Sequence, residues 1–343
     1  MIQYAGNDSR LGAVVAHGPV ADNQSRYRYA LGVLNAVISK NEPTPFAHFD
    51  CSMRHRLLNH SEEVTYESLT RVCESNGARV FPKVRLADVF AIEKSGLSSA
   101  HFSYCLRSHF DFLVTDKDYR PQFSVEFDGP LHKASAVQRQ RDLLKNNLCE
   151  HFGHGLLRVN SKYLTPAYRG LDLLTYFVDA WFLAQAFDEA QKSGAIPYDE
   201  PFDITFIYST SDSNSKKWPY WLTLDIQAEM EKLHLEERIG QMAPSHHVGT
   251  DNEGNYRCMS WLVVDAMSVL SVTTGMRAQR FSAVDECDLV SMLAMFDLYR
   301  ELPSVLSGTR GALMDRNRFF QERLPAFQQR YPMVSATSFG AIV

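Results

Sequence analysis

Three acidic residues stand inside apolar, strand-like runs: Asp111 in FDFLV (110–114), and Glu126 and Asp128 in VEFDG (125–129). Side chains alternate along a strand, so Glu126 and Asp128 project from the same side. The polar turn TDKDYRP between the runs is short, which makes them antiparallel neighbours. Three carboxylates are then expected to converge at one end of a sheet. Burying a carboxylate without a partner is costly, so a cation belongs among them. Asp and Glu oxygens are hard ligands, and the expected ion is Mg²⁺ or Mn²⁺ held by Asp111, Glu126 and Asp128. Gly129-Pro130 breaks the strand directly afterwards, leaving the cluster near a mouth. His132 follows, within reach of a metal-bound water or a phosphate.

A cationic segment comes next. Between residues 130 and 169, seven cationic residues (Lys133, Arg139, Arg141, Lys145, Arg158, Lys162 and Arg169) face two acids, Asp142 and Glu150, a net +5. The whole chain carries −5. Arg141 and Lys145 are four residues apart and share a helix face. Such a patch suits a phosphodiester backbone, with Lys133, Arg139, Arg141 and Arg158 as contacts. The competing reading is a solvated helix with internal ion pairs. His132 and Lys145 are the two candidates for a group that orients water or stabilises a leaving oxygen.

These residues need elements to hold them. Ser61, followed by Glu62 and Glu63 and then Val64, Tyr66 and Leu69, predicts a capped helix closed by Asn76-Gly77. Strands are predicted at 78–89, 110–114, 123–127 and 155–159, and a basic helix at 136–153. That order implies an α/β fold with a mixed sheet flanked by helices. An earlier helix is expected at 27–39. The run 171–192 reads as a helix apolar over most of its circumference, buried between layers or against a partner. Beyond it the pattern is α+β: a strand at 203–208, a polar loop at 209–217, helices near 221–240 and 284–301, and a strand at 256–265. The expected division is an extension (1–55), a core (56–165), the apolar helix (166–195) and a C-terminal region (196–343).

The segments VFPKVRLADVF (80–90), FDFLV (110–114), VEFDGPLH (125–132), RDLLKNN (141–147) and GLLRV (155–159) carry a resemblance. In order and spacing, residues 56–163 resemble the PD-(D/E)XK nuclease superfamily, in its branch similar to very-short-patch-repair endonucleases. They also resemble the bacterial family called domain of unknown function 2726. The resemblance implies a restriction-endonuclease-like core and a metal-dependent nuclease acting on nucleic acid, DNA before RNA. Asp111 would match the motif aspartate, Glu126 the acid of the (D/E)xK element, and Glu63 the acid on the first helix and a further metal ligand. The chain departs from the pattern at Asp128, where the superfamily has lysine; Lys145 or His132 would substitute. The alternatives are a nuclease fold that binds nucleic acid without cutting it, and an interaction module docking a partner or second copy through the 171–187 helix and the C-terminal half.

Composition narrows the remaining classes. A chain of 343 residues that is 45% hydrophobic can bury a core, and a charge of −5 is no polycation. Six scattered cysteines without a CxxC pair point to reduced thiols. The most apolar stretch, 175–187, is too short to span a bilayer, so a cytoplasmic protein with no membrane association is expected. His246-His247 reads as part of a polar loop, and TDNEGN (250–255) as a hairpin turn. Trp218 and Trp221 read as core aromatics before base-stacking ones.

Overall fold

A computed structural model describes residues 56–129, 136–168, 170–206, 221–308 and 313–338. The expected helix at 27–39, the loop at 209–217, and His132, Lys133, Arg169 and Trp218 lie outside these residues.

Helix α1 (His60–Ser75) begins at Asn59. The Asn59 side chain accepts from Glu62 N, and Glu62 Oε2 accepts from Asn59 N, both at 3.0 Å. This reciprocal capping box displaces the expected cap, Ser61, which lies inside the helix. Thr65, Leu69, Val72 and Cys73 form the buried stripe. The strand expected over 78–89 stops earlier: β1 (Arg79–Arg85) gives way to a single helical turn, α2 (Leu86–Val89). A further helix, α3 (Ser99–Arg107), capped by Ser98, falls where the sequence suggested no element.

Strands β2 (His109–Thr115) and β3 (Pro121–Phe127), helix α4 (Ala136–His151) and strand β4 (Gly155–Val159) follow as the pattern predicts. The sheet order is β1-β2-β3-β4. The first two pairings are antiparallel and β3–β4 is parallel, so α4 is the crossover that a parallel pair requires. Alternation on β4 sorts two layers. Leu157 and Val159 pack with Leu69 and Val72 of α1, whereas Leu156 packs with Cys105 of α3 and Leu148 of α4.

Helix α5 (Leu173–Lys192) starts at the N-cap Asp172. Its first half, including Leu174, Phe177 and Val178, is buried in the same core as α1 and the first sheet. From Trp181 onward the helix is half-buried to exposed. A second sheet, entirely antiparallel, has the order β8-β7-β6-β5-β9. Its strands are β5 (Ser245–Thr250), β6 (Tyr256–Val263), β7 (Ser268–Met276), β8 (Leu313–Asp315) and β9 (Met333–Thr337). Helices α6 (Leu224–Leu235) and α7 (Glu286–Leu306) pack on it. Two short helices, α8 (Arg316–Arg318) and α9 (Leu324–Arg330), precede β9. Val248, Cys258, Val290 and Leu293 join the core that α1 and α5 share with the first sheet. Residues Leu58–Val343 accordingly form one unit, with hydrophobic contacts continuous across the boundaries expected near 165 and 195.

Three local expectations are corrected. Part of the strand expected at 203–208 is a 3₁₀ turn, Ile204–Phe206. His246 and His247 are buried on β5 instead of lying in a loop, and burial pulls the His246 imidazole down to about 4. The strand expected over 256–265 ends at Val263. The 250–255 turn does join β5 to β6, with Asp251 Oδ1 accepting from Asn255 N at 2.9 Å. Cys73, Cys105, Cys149, Cys258 and Cys287 are free thiols. No described helix is long and apolar enough to cross a membrane.

Candidate functional site

The site forms where β2 and β3 part. Their ladder runs to the pair Phe112–Val125 and then stops. The next main-chain donors are met by side chains. Asp111 N donates to Glu126 Oε1 at 3.2 Å, and Phe127 N donates to Asp111 Oδ2 at 3.0 Å. Each carboxylate therefore holds a strand end open while satisfying its backbone.

A lysine meets each acid. Lys145 of α4 reaches down to Glu126 Oε1 at 2.7 Å and to His109 O at 3.0 Å. Both side chains are buried, at 9% exposure for Lys145 and 12% for Glu126. Burial pushes the Glu126 carboxyl above the usual carboxylate range; Lys145 pulls it back down, and Asp111 pushes it up. The second lysine is Lys83 of β1. Its Nζ lies 2.7 Å from Asp111 Oδ1 and 2.8 Å from Glu62 Oε1. Burial works against the Lys83 ammonium, but the hydrogen bonds to Asp111 and Glu62 outweigh it and its pKa is raised.

Lys83 gets there by an unusual backbone. Pro82 pairs with Phe112 and Val84 with Phe110, so Lys83 sits opposite Asp111. It has φ +56, a left-handed conformation costing roughly 1–2 kcal/mol in a non-glycine residue. The two ion pairs hold it there. The sequence reading passed over Lys83, although a lysine between Pro82 and Val84 in a half-buried strand was a signal.

Other expected site residues are distributed differently. Glu62, not Glu63, faces the cluster: one Glu62 oxygen completes the helix cap and the other takes Lys83. Glu63 lies on the outer side of the first turn, 4.0 Å from His60. Asp128 does not join Asp111 and Glu126. Its N–H continues the pairing to β4 through Val159 O at 2.7 Å. Its carboxylate meets Arg158 Nη1 at 3.5 Å and Arg277 Nη1. Among the described residues no group of three or more His, Cys, Asp or Glu is arranged to hold a metal ion. Of the three acids expected to converge, Asp111 and Glu126 lie side by side, and Asp128 is turned away to Arg158 and Arg277.

The basic patch is thinner than its sequence count. Arg158 is only 5% exposed and is enclosed by Asp128, Asp142 at 3.5 Å and Asn146 at 3.0 Å, so it does not present a cation to solvent. Lys145 likewise points inward. Arg139 and Arg141 remain exposed on α4. Behind the site, Ser124 Oγ and His154 Nε2 are 2.8 Å apart, and burial lowers the His154 imidazole to about 4.

No curated protein and no solved structure matches the chain. Residues 54–169, from just before α1 to beyond β4, match the model of a family described as Protein of unknown function (DUF2726), in agreement with the resemblance to that family carried by the five segments between 80 and 159.

Proposed function

We propose that this chain is a metal-dependent nuclease that hydrolyses phosphodiester bonds, with DNA the first substrate to try. The observation supporting this most is the meeting of Asp111, Glu126 and Lys145 at the parted ends of β2 and β3. Two acids and a lysine at a strand fork are the groups that the resemblance to PD-(D/E)XK nucleases calls for. Lys145, arriving from the crossover helix, takes the role that Asp128 cannot.

The donor set fits Mg²⁺ or Mn²⁺. Mg²⁺ typically uses one or two carboxylates and keeps several waters, so Asp111 and Glu126 suffice as protein ligands. Both described donors to Glu126 fall on Oε1, which leaves Oε2 facing no described donor. When bound, such an ion lowers the pKa of its water and neutralises charge developing on phosphorus. The chain's own part is positional. Lys145 Nζ donates to Glu126 Oε1 and stabilises the ionised carboxylate against burial. Phe127 N fixes Asp111 Oδ2, and Lys83 holds Oδ1. Arg139 and Arg141 would draw phosphates toward the helix from outside.

The test is incubation with supercoiled plasmid and with single-stranded DNA and RNA oligonucleotides, with and without Mg²⁺ or Mn²⁺. Metal-dependent cleavage that Glu126→Gln and Lys145→Ala both remove is the expected result. A second reading, a nuclease fold that binds without cutting, is favoured by the neutralisation of each acid by its own lysine. Salt-sensitive retardation with no cleavage would select it, and no effect in either assay would sink both.

A further inference from the structure

The DUF2726-like segment ends at residue 169, yet the arrangement around Lys145 is tied together by a residue far beyond it. Helix α4 carries Lys145 to Glu126, and Asp142 stands one turn earlier on that helix. Asp142 and Lys145 are three residues apart and share a face. Two arginines bridge Asp142 to Asp128, the residue just after β3. Arg158 of β4 lies 3.5 Å from each carboxylate. Arg277, from the segment between β7 and α7, contacts Asp128 and lies 3.2 Å from Asp142 Oδ2.

That segment is itself built onto the first sheet. β4 is an edge strand, and edge N–H and C=O groups need partners. Residues 279 and 280 supply them. Leu156 N donates to Arg280 O at 2.8 Å, and Arg280 N to Leu156 O at 3.2 Å. The Gln279 side chain accepts from Arg158 N at 2.7 Å and donates to Arg158 O at 3.1 Å. Gln279 and the pair of Asp128 and Asp142 thus hold Arg158 between them, and Arg277 closes the network from outside with a third of its side chain exposed.

From this geometry we infer that Arg277 is a positioning residue, clamping α4 to the end of β3 so that Lys145 stays on Glu126; the C-terminal region thereby completes the site. The role rests on the functional reading above, but the clamp is separately measurable. Arg158 alone is a weaker bridge, since it is also turned toward Asn146. Losing Arg277 leaves Asp128 and Asp142 with one arginine between them, and their repulsion opens the gap that α4 spans.

The experiment compares the full-length protein with Arg277→Gln and Arg277→Lys. One readout is the rate at which an amine-reactive acetylating reagent labels Lys145, quantified by mass spectrometry. The other is steady-state cleavage of a DNA duplex with Mg²⁺, resolved into kcat and KM. The expected result is at least fivefold faster labelling of Lys145 in Arg277→Gln, with exposed lysines unchanged. Cleavage should lose at least tenfold in kcat with KM within about twofold, since an ångström-scale misplacement can cost on the order of a hundredfold. Arg277→Lys keeps the charge but cannot bridge both acids, and should fall between. If Arg277→Gln does not fold, the lysine variant carries the measurement on the same terms. Unchanged labelling of Lys145 overturns the clamp, as does a loss confined to KM, which would make Arg277 a substrate contact. If the wild-type protein cuts nothing, the nuclease reading fails while the labelling result still decides the clamp.

Discussion

Removing Lys145 alone should be among the most destabilising single changes at the site, and the loss should depend on pH. Glu126 and Lys145 are both buried and share a 2.7 Å bond, so Lys145→Met leaves a buried carboxylate facing Asp111 with no ammonium beside it. Breaking a buried pair by deleting one partner costs about 3–5 kcal/mol, whereas replacing both members by apolar or neutral groups of similar volume is often close to neutral. The double variant Glu126→Gln with Lys145→Met should therefore recover most of the loss. The sign with pH follows from Glu126. Its folded pKa already lies above the ordinary 4.5 because of burial, and removing the ammonium raises it further. The native state then binds the proton more tightly than the unfolded chain, so stability is greatest below about 4.5 and declines as pH rises through the raised value. Urea denaturation of wild type, both single variants and the double variant at pH 5 and pH 8 measures this. Lys145→Met should lose more at pH 8 than at pH 5. A deficit under about 1 kcal/mol at both pH values would refute the account of Glu126 as a buried acid stabilised by its lysine.

Other outcomes follow from single contacts. Lys83 has φ +56, so Lys83→Gly should unfold at higher urea than Lys83→Ala by about 1 kcal/mol, both lacking the ion pairs; equal midpoints would deny the strain. If Asp111 and Glu126 hold Mg²⁺, the ion should raise the wild-type melting temperature, by mass action worth about 2.7 kcal/mol at a hundredfold excess over its Kd. Asp111→Asn should abolish that rise, and a persisting shift would move the metal elsewhere. A side chain at Gly249 would place its Cβ 2.4 Å from Tyr331 O, so Gly249→Ala should lower the melting temperature by prising β9 from β5; an unchanged melt would show that the approach relaxes freely.

Local pattern determined a good part of this molecule. Short apolar runs located β2, β3 and β4, and the apolar circumference at 171–192 marked α5, because each signal lies within the element it describes. The acids at 111 and 126 were legible for the same reason: a carboxylate inside an apolar strand stands out against its neighbours. Cap chemistry was legible too, but the Asn59–Glu62 reciprocity was passed over in favour of Ser61. What only the tertiary structure decided is how the charges pair. A lysine's reach spans several residues on any element, so nothing local assigns Lys83 to Asp111 or Lys145 to Glu126. The count of basic residues between 130 and 169 likewise could not reveal that Arg158 and Lys145 turn inward. Asp128 reads as a third ligand on strand parity alone, and becomes an arginine partner because β4 and a segment 149 residues further along the chain bring Arg158 and Arg277 to it. Pairing of buried charges is set by which elements pack together, and packing of distant segments leaves no trace in the spacing of either one.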